Sequence, residues 1–240
     1  MTARRYAVYF APRPESRLGQ CGSAWLGRDA VTNSSCPQPD LPADVPVDLA
    51  AATARPRHYG FHATLKAPFR LHGNCTEAAL IRAAQALCTR HETFSITLEV
   101  GELDGFIALL PKSPTNALDH LAADCVRELD AFRAPLTDTD RRRRDAARLP
   151  PRQRVLFEQW GYPHVLDAFR FHMTLSERLP DGTRQRLYAL AEAYFEPVLR
   201  GETTPVDSIC LFREATPGGM FSLLQRIDFT PRNAPPHEFV

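Results

Sequence analysis

Phe-His-x-Thr-Leu occurs twice in this chain, and no other feature restricts its fold as much. The first copy lies in His58-Tyr59-Gly60-Phe61-His62-Ala63-Thr64-Leu65-Lys66, the second in Arg170-Phe171-His172-Met173-Thr174-Leu175-Ser176. Both alternate polar with apolar residues, the pattern of a half-buried strand. Side chains two apart on a strand point to one face. His62 and Thr64 therefore share a face opposite Phe61, Ala63 and Leu65. His172 and Thr174 share one opposite Phe171, Met173 and Leu175. Each strand is expected to be anchored by its apolar back and to present an imidazole beside a hydroxyl.

The segments downstream of the two copies also repeat. After the first, Pro68 and Gly73 mark a turn and Thr76 caps a predicted helix to about residue 90. Leu80, Ile81, Ala84, Leu87 and Cys88 give that helix one apolar face. Strands at 94–100 and 106–110 then form a hairpin across Gly101–Gly105. After the second copy, Asp181-Gly182 leads into a helix to Leu199, and then to strands at 207–214 and 221–229 around Pro217-Gly218-Gly219. Two strand–helix–hairpin units result, at about 56–112 and 166–230, linked by a helical section at about 114–165. The expected class is α+β: one domain over 1–240, bilobal and pseudo-symmetric, with antiparallel sheets lining a central groove.

The remainder is less regular. A buried strand is expected at 6–11, and a turn or short helix at 23–29. The proline-rich stretch 32–46 reads as a surface excursion or as a flap over the groove. Residues 231–240 read as a loose tail.

Composition narrows the function classes. With 29 basic and 28 acidic residues the net charge is +1, which argues against a broad basic face gripping long nucleic acid. A local basic pocket for a small anion remains compatible with that balance. Six dispersed cysteines without a CxxC pair point to reduced thiols and a cytoplasmic protein. The N-terminus has no signal-peptide pattern, and no run of about 18 apolar residues marks a membrane span. The oligomeric state is open.

Two imidazoles and two hydroxyls facing one cleft have a clear chemical use. An imidazole titrates near pH 6.5, so one ring can act as base while the other acts as acid. Threonine hydroxyls suit the non-bridging oxygens of a phosphoryl group held between them. His58 shares the face of His62, yet no carboxylate or cysteine completes a metal set nearby. No metal and no cofactor is expected.

The paired Phe-His-Ala-Thr-Leu and Phe-His-Met-Thr-Leu resemble the signature motifs of the 2H phosphoesterase superfamily. The wider context is Tyr59 to Phe69, with Trp160-Gly161-Tyr162-Pro163 before the second copy. It resembles the branch encoded with phosphonate-degradation (carbon–phosphorus lyase) genes. The resemblance spans about 6–229. It implies a bilobal fold, metal-independent hydrolysis of a small cyclic phosphodiester, and His62, Thr64, His172 and Thr174 as catalytic residues. A cyclic sugar phosphate from phosphonate breakdown is the expected substrate type. Two alternatives stand beside it: an enzyme processing or joining RNA ends with 2′,3′-cyclic phosphates, and a phosphate- or nucleotide-binding module without turnover.

Strand parity adds candidates for substrate binding. Lys66 lies two past Thr64 and Arg170 two before His172, and Ser176 and His58 have the same parity. The run Arg141 to Arg144 reads as a solvated helical face or as a flank of the groove that steers anions.

Overall fold

The computed structural model describes residues 4–42, 46–144 and 148–230, so the expected tail at 231–240 lies outside the described residues. Strand β1 (Arg5–Phe10) leads into helix α1 (Arg17–Leu26), then β2 (Arg28–Asp29) and β3 (Ser34–Ser35). Helices α2 (Leu49–Ala52) and α3 (Ala54–Tyr59) precede the first motif strand, β4 (Ala63–Arg70). Helix α4 (Glu77–Cys88) and strands β5 (Phe94–Ile96), β6 (Leu98–Leu103) and β7 (Phe106–Pro111) complete the first unit. The link contains α5 (Asn116–Glu128), α6 (Asp138–Arg143) and α7 (Pro151–Trp160). The second unit runs β8 (Met173–Thr174), α8 (Asp181–Leu199), β9 (Thr204–Val206), β10 (Ser208–Glu214) and β11 (Phe221–Asp228). Mixed helices and antiparallel strands make this an α+β fold.

Local chemistry accounts for most of these elements. Thr76 caps α4 by accepting a hydrogen bond from the Ala79 N–H at 3.2 Å, which satisfies one orphan donor of the first turn. Leu80, Ala84, Leu87 and Cys88 form its buried face. The strand expected at 94–100 is divided. Phe94–Ile96 pairs with Thr204–Val206 of the second unit, while the next residues form the β6–β7 hairpin. The pieces that open the two hairpins thus pair with each other.

One seven-stranded sheet holds the motifs, in the order β11-β10-β1-β4-β8-β7-β6, with every neighbouring pair antiparallel. The two motif strands are adjacent at its centre, joined by the single pairing of Ala63 with Met173. The hairpins have exchanged sides. The first unit's β7 lies beside the second motif strand, and the second unit's β10 reaches the first motif strand through β1.

The apolar backs of both motifs enter one core. Phe61, Ala63, Leu65, Phe171, Met173 and Leu175 are all buried there, with Leu80 and Leu87 of α4, Leu118 and Leu121 of α5, and Leu187 and Phe195 of α8. Burying each large side chain contributes roughly 1.5–3 kcal/mol. Trp25 of α1 donates its Nε1–H to the Leu175 carbonyl at 2.9 Å and so ties α1 to the second motif.

Helix α1 is longer than the turn or short helix expected at 23–29, and α3 takes in His58 and Tyr59, which the motif pattern assigns to a strand. Gly19 and Gly22 have low helix propensity, but in α1 they serve packing. A Cβ built on Gly22 would lie 2.0 Å from the Phe61 ring, so the glycine admits that ring. Gly22→Ala is accordingly expected to destabilise the protein by about 1–3 kcal/mol through overpacking, read as a lower urea midpoint with an unchanged slope.

Candidate active site

His62 stands just before β4, where the backbone dictates its orientation. Gly60, which ends α3, adopts φ +82° and ψ 178°, a region open in practice to glycine alone. A Cβ there would lie 2.4 Å from the Ala30 Cβ. The turn aims the Gly60 carbonyl at His62 Nδ1, 2.8 Å away. A carbonyl only accepts, so Nδ1 carries the hydrogen and Nε2 is left with the free lone pair. The Thr64 hydroxyl is 3.3 Å from that Nε2. The second motif repeats the arrangement: His172 Nδ1 lies 2.8 Å from the Arg170 carbonyl, again two residues back. His62, Thr64, His172 and Thr174 all line one cavity of about 570 Å³.

The two imidazoles differ in surroundings. His62 stacks against Tyr9, with ring centroids 3.8 Å apart. Burial, helped by the His172 charge, lowers its pKa to about 4 against the opposing pull of the Gly60 hydrogen bond. Burial also lowers His172, while its bond to the Arg170 carbonyl and the Asp104 carboxylate pull the other way. Asp104 sits in the β6–β7 turn at φ +48° and lines the same cavity.

Four substrate-binding candidates from strand parity fare differently. Lys66 does not face the cavity. The pairing with β1 skips a residue between Tyr9–Thr64 and Val8–Lys66, a bulge that turns Lys66 to the face opposite Thr64, and a second shift between Val8 and Tyr6 returns Phe69 to the core side. Its buried Nζ instead donates to the Val126 carbonyl at 3.1 Å and to Asp130 at 3.0 Å. His58, unlike Lys66, is not on the strand at all. It occupies the last turn of α3, packed on Tyr59 and Phe221 with centroids 4.7 and 5.9 Å away. Ser176 borders the cavity, but its Oγ accepts from the Ile107 N–H and donates to the Glu177 carbonyl, so it serves the fold. Arg170 does reach the cavity.

Within the arginine run the roles divide. Arg141 pairs with Glu158 at 2.7 Å and Arg142 bonds Thr139, while Arg144 lines the cavity. The Arg143 side chain lies outside the described residues. None of the described residues of the 32–46 excursion borders the cavity, so they form no flap over it.

The structure adds residues that the motifs alone do not reveal. Tyr9, the wall behind His62, is legible in the sequence only as part of a buried strand. Its phenol pKa is pushed well up by burial. His164 and Tyr162 reach the cavity from the segment before the second motif, whose one sequence signal is Trp-Gly-Tyr-Pro. Among the described residues no group of three His, Cys, Asp or Glu is arranged to hold a metal ion, and no helix is long and apolar enough to cross a membrane.

Residues 64–222 match the family described as "Protein of unknown function (DUF1045)". The chain belongs to that family. It is 36% identical over 230 residues to a protein of Janthinobacterium sp. (strain Marseille) named ribose 1,5-bisphosphate phosphokinase PhnN. It is 39% identical over 223 residues to one of the same name from Laribacter hongkongensis (strain HLHK9). These alignments cover 94% and 93% of this chain but 51% of each relative, so the chain spans about half their length. Among solved structures, E. coli LigT complexed with 3′-AMP overlaps 95% of this chain and 99% of its own at 14% identity, with a TM-score of 0.42. A structure described as a phosphoesterase overlaps 95% and 99% at 15% identity, with a TM-score of 0.39. At such scores and identities these overlaps carry no weight for its chemistry. The resemblance to the 2H phosphoesterases is met by the chain's own geometry, with two His-x-Thr sets on adjoining strands around one cavity.

A depressed histidine pKa links the site to stability. Above about pH 6.5 the His62 ring is neutral folded and unfolded, and below that only the unfolded chain takes up its proton. Stability is therefore expected to fall as pH drops from 6.5 toward 4. In a proton NMR titration the His62 ring resonances should move near pH 4, and His62→Gln should flatten the acid limb of the unfolding curve.

Proposed function

We propose that the chain is a metal-independent phosphoesterase that hydrolyses a small cyclic phosphodiester by general acid–base catalysis. The observation that carries this reading is the matched pair of imidazoles. Each is held by Nδ1 on the carbonyl two residues back, with a threonine hydroxyl from the same motif in the same cavity. Two Nε2 atoms of fixed tautomer opposite a phosphorus are a base and an acid that differ by one proton.

His62 serves as the base and His172 as the acid. His62 is the more strongly held neutral, whereas Asp104 favours the imidazolium of His172, and an anionic phosphate between them adds to that preference. Water attacks phosphorus as His62 Nε2 takes its proton. The bond from phosphorus to the leaving oxygen breaks, and His172 Nε2–H protonates that oxygen. Both Nδ1–H groups keep donating to their carbonyls, and solvent resets the two rings. Thr64 and Thr174 hydrogen-bond the non-bridging oxygens. Each proton transfer is worth about 10² to 10⁴ in rate.

The relatives' name supports a phosphorylated ribose as substrate type, in keeping with a cyclic sugar phosphate. The kinase part of that name has no counterpart in this sequence, which holds no Gly-Lys pair and hence no GxxxxGK[ST] phosphate loop. Free thiols on all six cysteines support a cytoplasmic setting.

Screening cyclic phosphates with products followed by phosphorus NMR tests the proposal. Hydrolysis that survives a chelator is expected, with kcat lowered by about 10² or more in His62→Ala and in His172→Ala while circular dichroism stays unchanged. Retention of most activity in either variant overturns the assignment. Tight binding without product would mark a binding module instead.

A further inference from the structure

We propose that Arg144, His164 and Arg170 form a second anion subsite beside His172, which takes a phosphate monoester carried by the same substrate. This rests on the phosphoesterase reading of the neighbouring histidines and extends it to the substrate's second charged group.

Charge in the cavity is the first ground for it. Seven arginines and three carboxylates line the cavity, in a chain whose net charge is only +1. Three of those arginines are committed: Arg5 pairs with Glu214, Arg70 with Asp140 at 2.6 Å, and Arg133 with Asp130 at 2.8 Å. The guanidinium groups of Arg144 and Arg170 make no hydrogen bond or ion pair among the described residues. A cyclic phosphodiester has one negative charge, and the two His-x-Thr sets already address it. Free guanidinium groups beyond that site call for another anion.

Placement is the second. The Arg144 guanidinium lies over the Tyr162 ring, 4.5 Å from its centroid, which holds the cation against the wall by cation–π attraction. Tyr162 meets the His164 ring edge-on at 5.5 Å. His164 is within electrostatic reach of Arg144, Asp104, His172 and Arg170. Arg144, Arg170 and His172 are thus gathered about His164 in one cavity, with Asp104 as the carboxylate among them. A phosphate monoester carries about −1.5 to −2 at pH 7, and its oxygens match the fork geometry of guanidinium groups. A volume of about 570 Å³ accommodates a phosphorylated sugar together with its cyclic phosphate.

Two probes test the subsite: cytidine 2′,3′-cyclic phosphate and the same compound carrying a 5′-phosphate. The native protein should favour the second by about tenfold or more in kcat/KM, and Arg144→Gln with His164→Gln should abolish most of that preference. Calorimetric titration with ribose 5-phosphate, which needs no turnover, should show affinity about tenfold weaker in the double variant. Circular dichroism checks its fold, and Arg144→Gln alone repeats the titration should the double variant unfold. Equal rates on the two probes, equal losses on both, or unchanged ribose 5-phosphate affinity overturns the subsite. If neither cyclic compound is hydrolysed, the screen of cyclic phosphates decides the hydrolase reading and the titration by itself decides the subsite.

Discussion

The pairing of Ala63 with Met173 is the contact on which the site depends. It sets two strands from distant parts of the chain side by side with their apolar residues in one core. Strand alternation then leaves both imidazoles and both hydroxyls on the opposite face. A slip of one residue in either strand would bury a histidine and expose its neighbours. The hydrophobic backs forbid it, since roughly 1.5–3 kcal/mol for each large side chain would be lost. Exchange of the hairpins reinforces the joint, because the first unit's β7 flanks the second motif strand and the second unit's β10 lies beyond the first motif strand with β1 between them.

Around that joint the backbone orients the reactive groups. The Gly60 and Arg170 carbonyls fix the same tautomer in both rings. Asymmetry comes from the surroundings: Tyr9 closes over His62, and Asp104 stands near His172. A pair alike in covalent chemistry is thereby split into a ring held neutral and a ring more easily charged. Lys66 belongs to a different layer. Through Asp130 it is connected to Arg133, which borders the cavity, so its charge supports the wall and does not contact its contents.

Much of this is legible from residues alone. The duplicated unit, the cap of α4 and the inward face of each motif arise from local pattern, and those elements are where expected. Lys66 and His58 show where parity reasoning stops. It assumes an unbroken strand, whereas a bulge beyond Thr64 reverses it on one side and the Gly60 turn ends it on the other. Helix α1 is hidden for a similar reason: Gly19 and Gly22 weaken local helix propensity, and packing against Phe61 is what retains Gly22.

Residue order alone selects the side chains of the central site, because a period of two and a repeated motif pick out the same four residues in any register that buries the apolar backs. Their surroundings come from folding at long range. Tyr9, Asp104, Arg144 and His164 belong to four separate segments with no shared spacing. Their convergence results from strand pairing and from the course of the helical link, and neither leaves a periodic trace in the chain. Local alternation fixes the face a residue occupies, whereas its neighbours across the cavity are set by contacts between elements far apart in sequence.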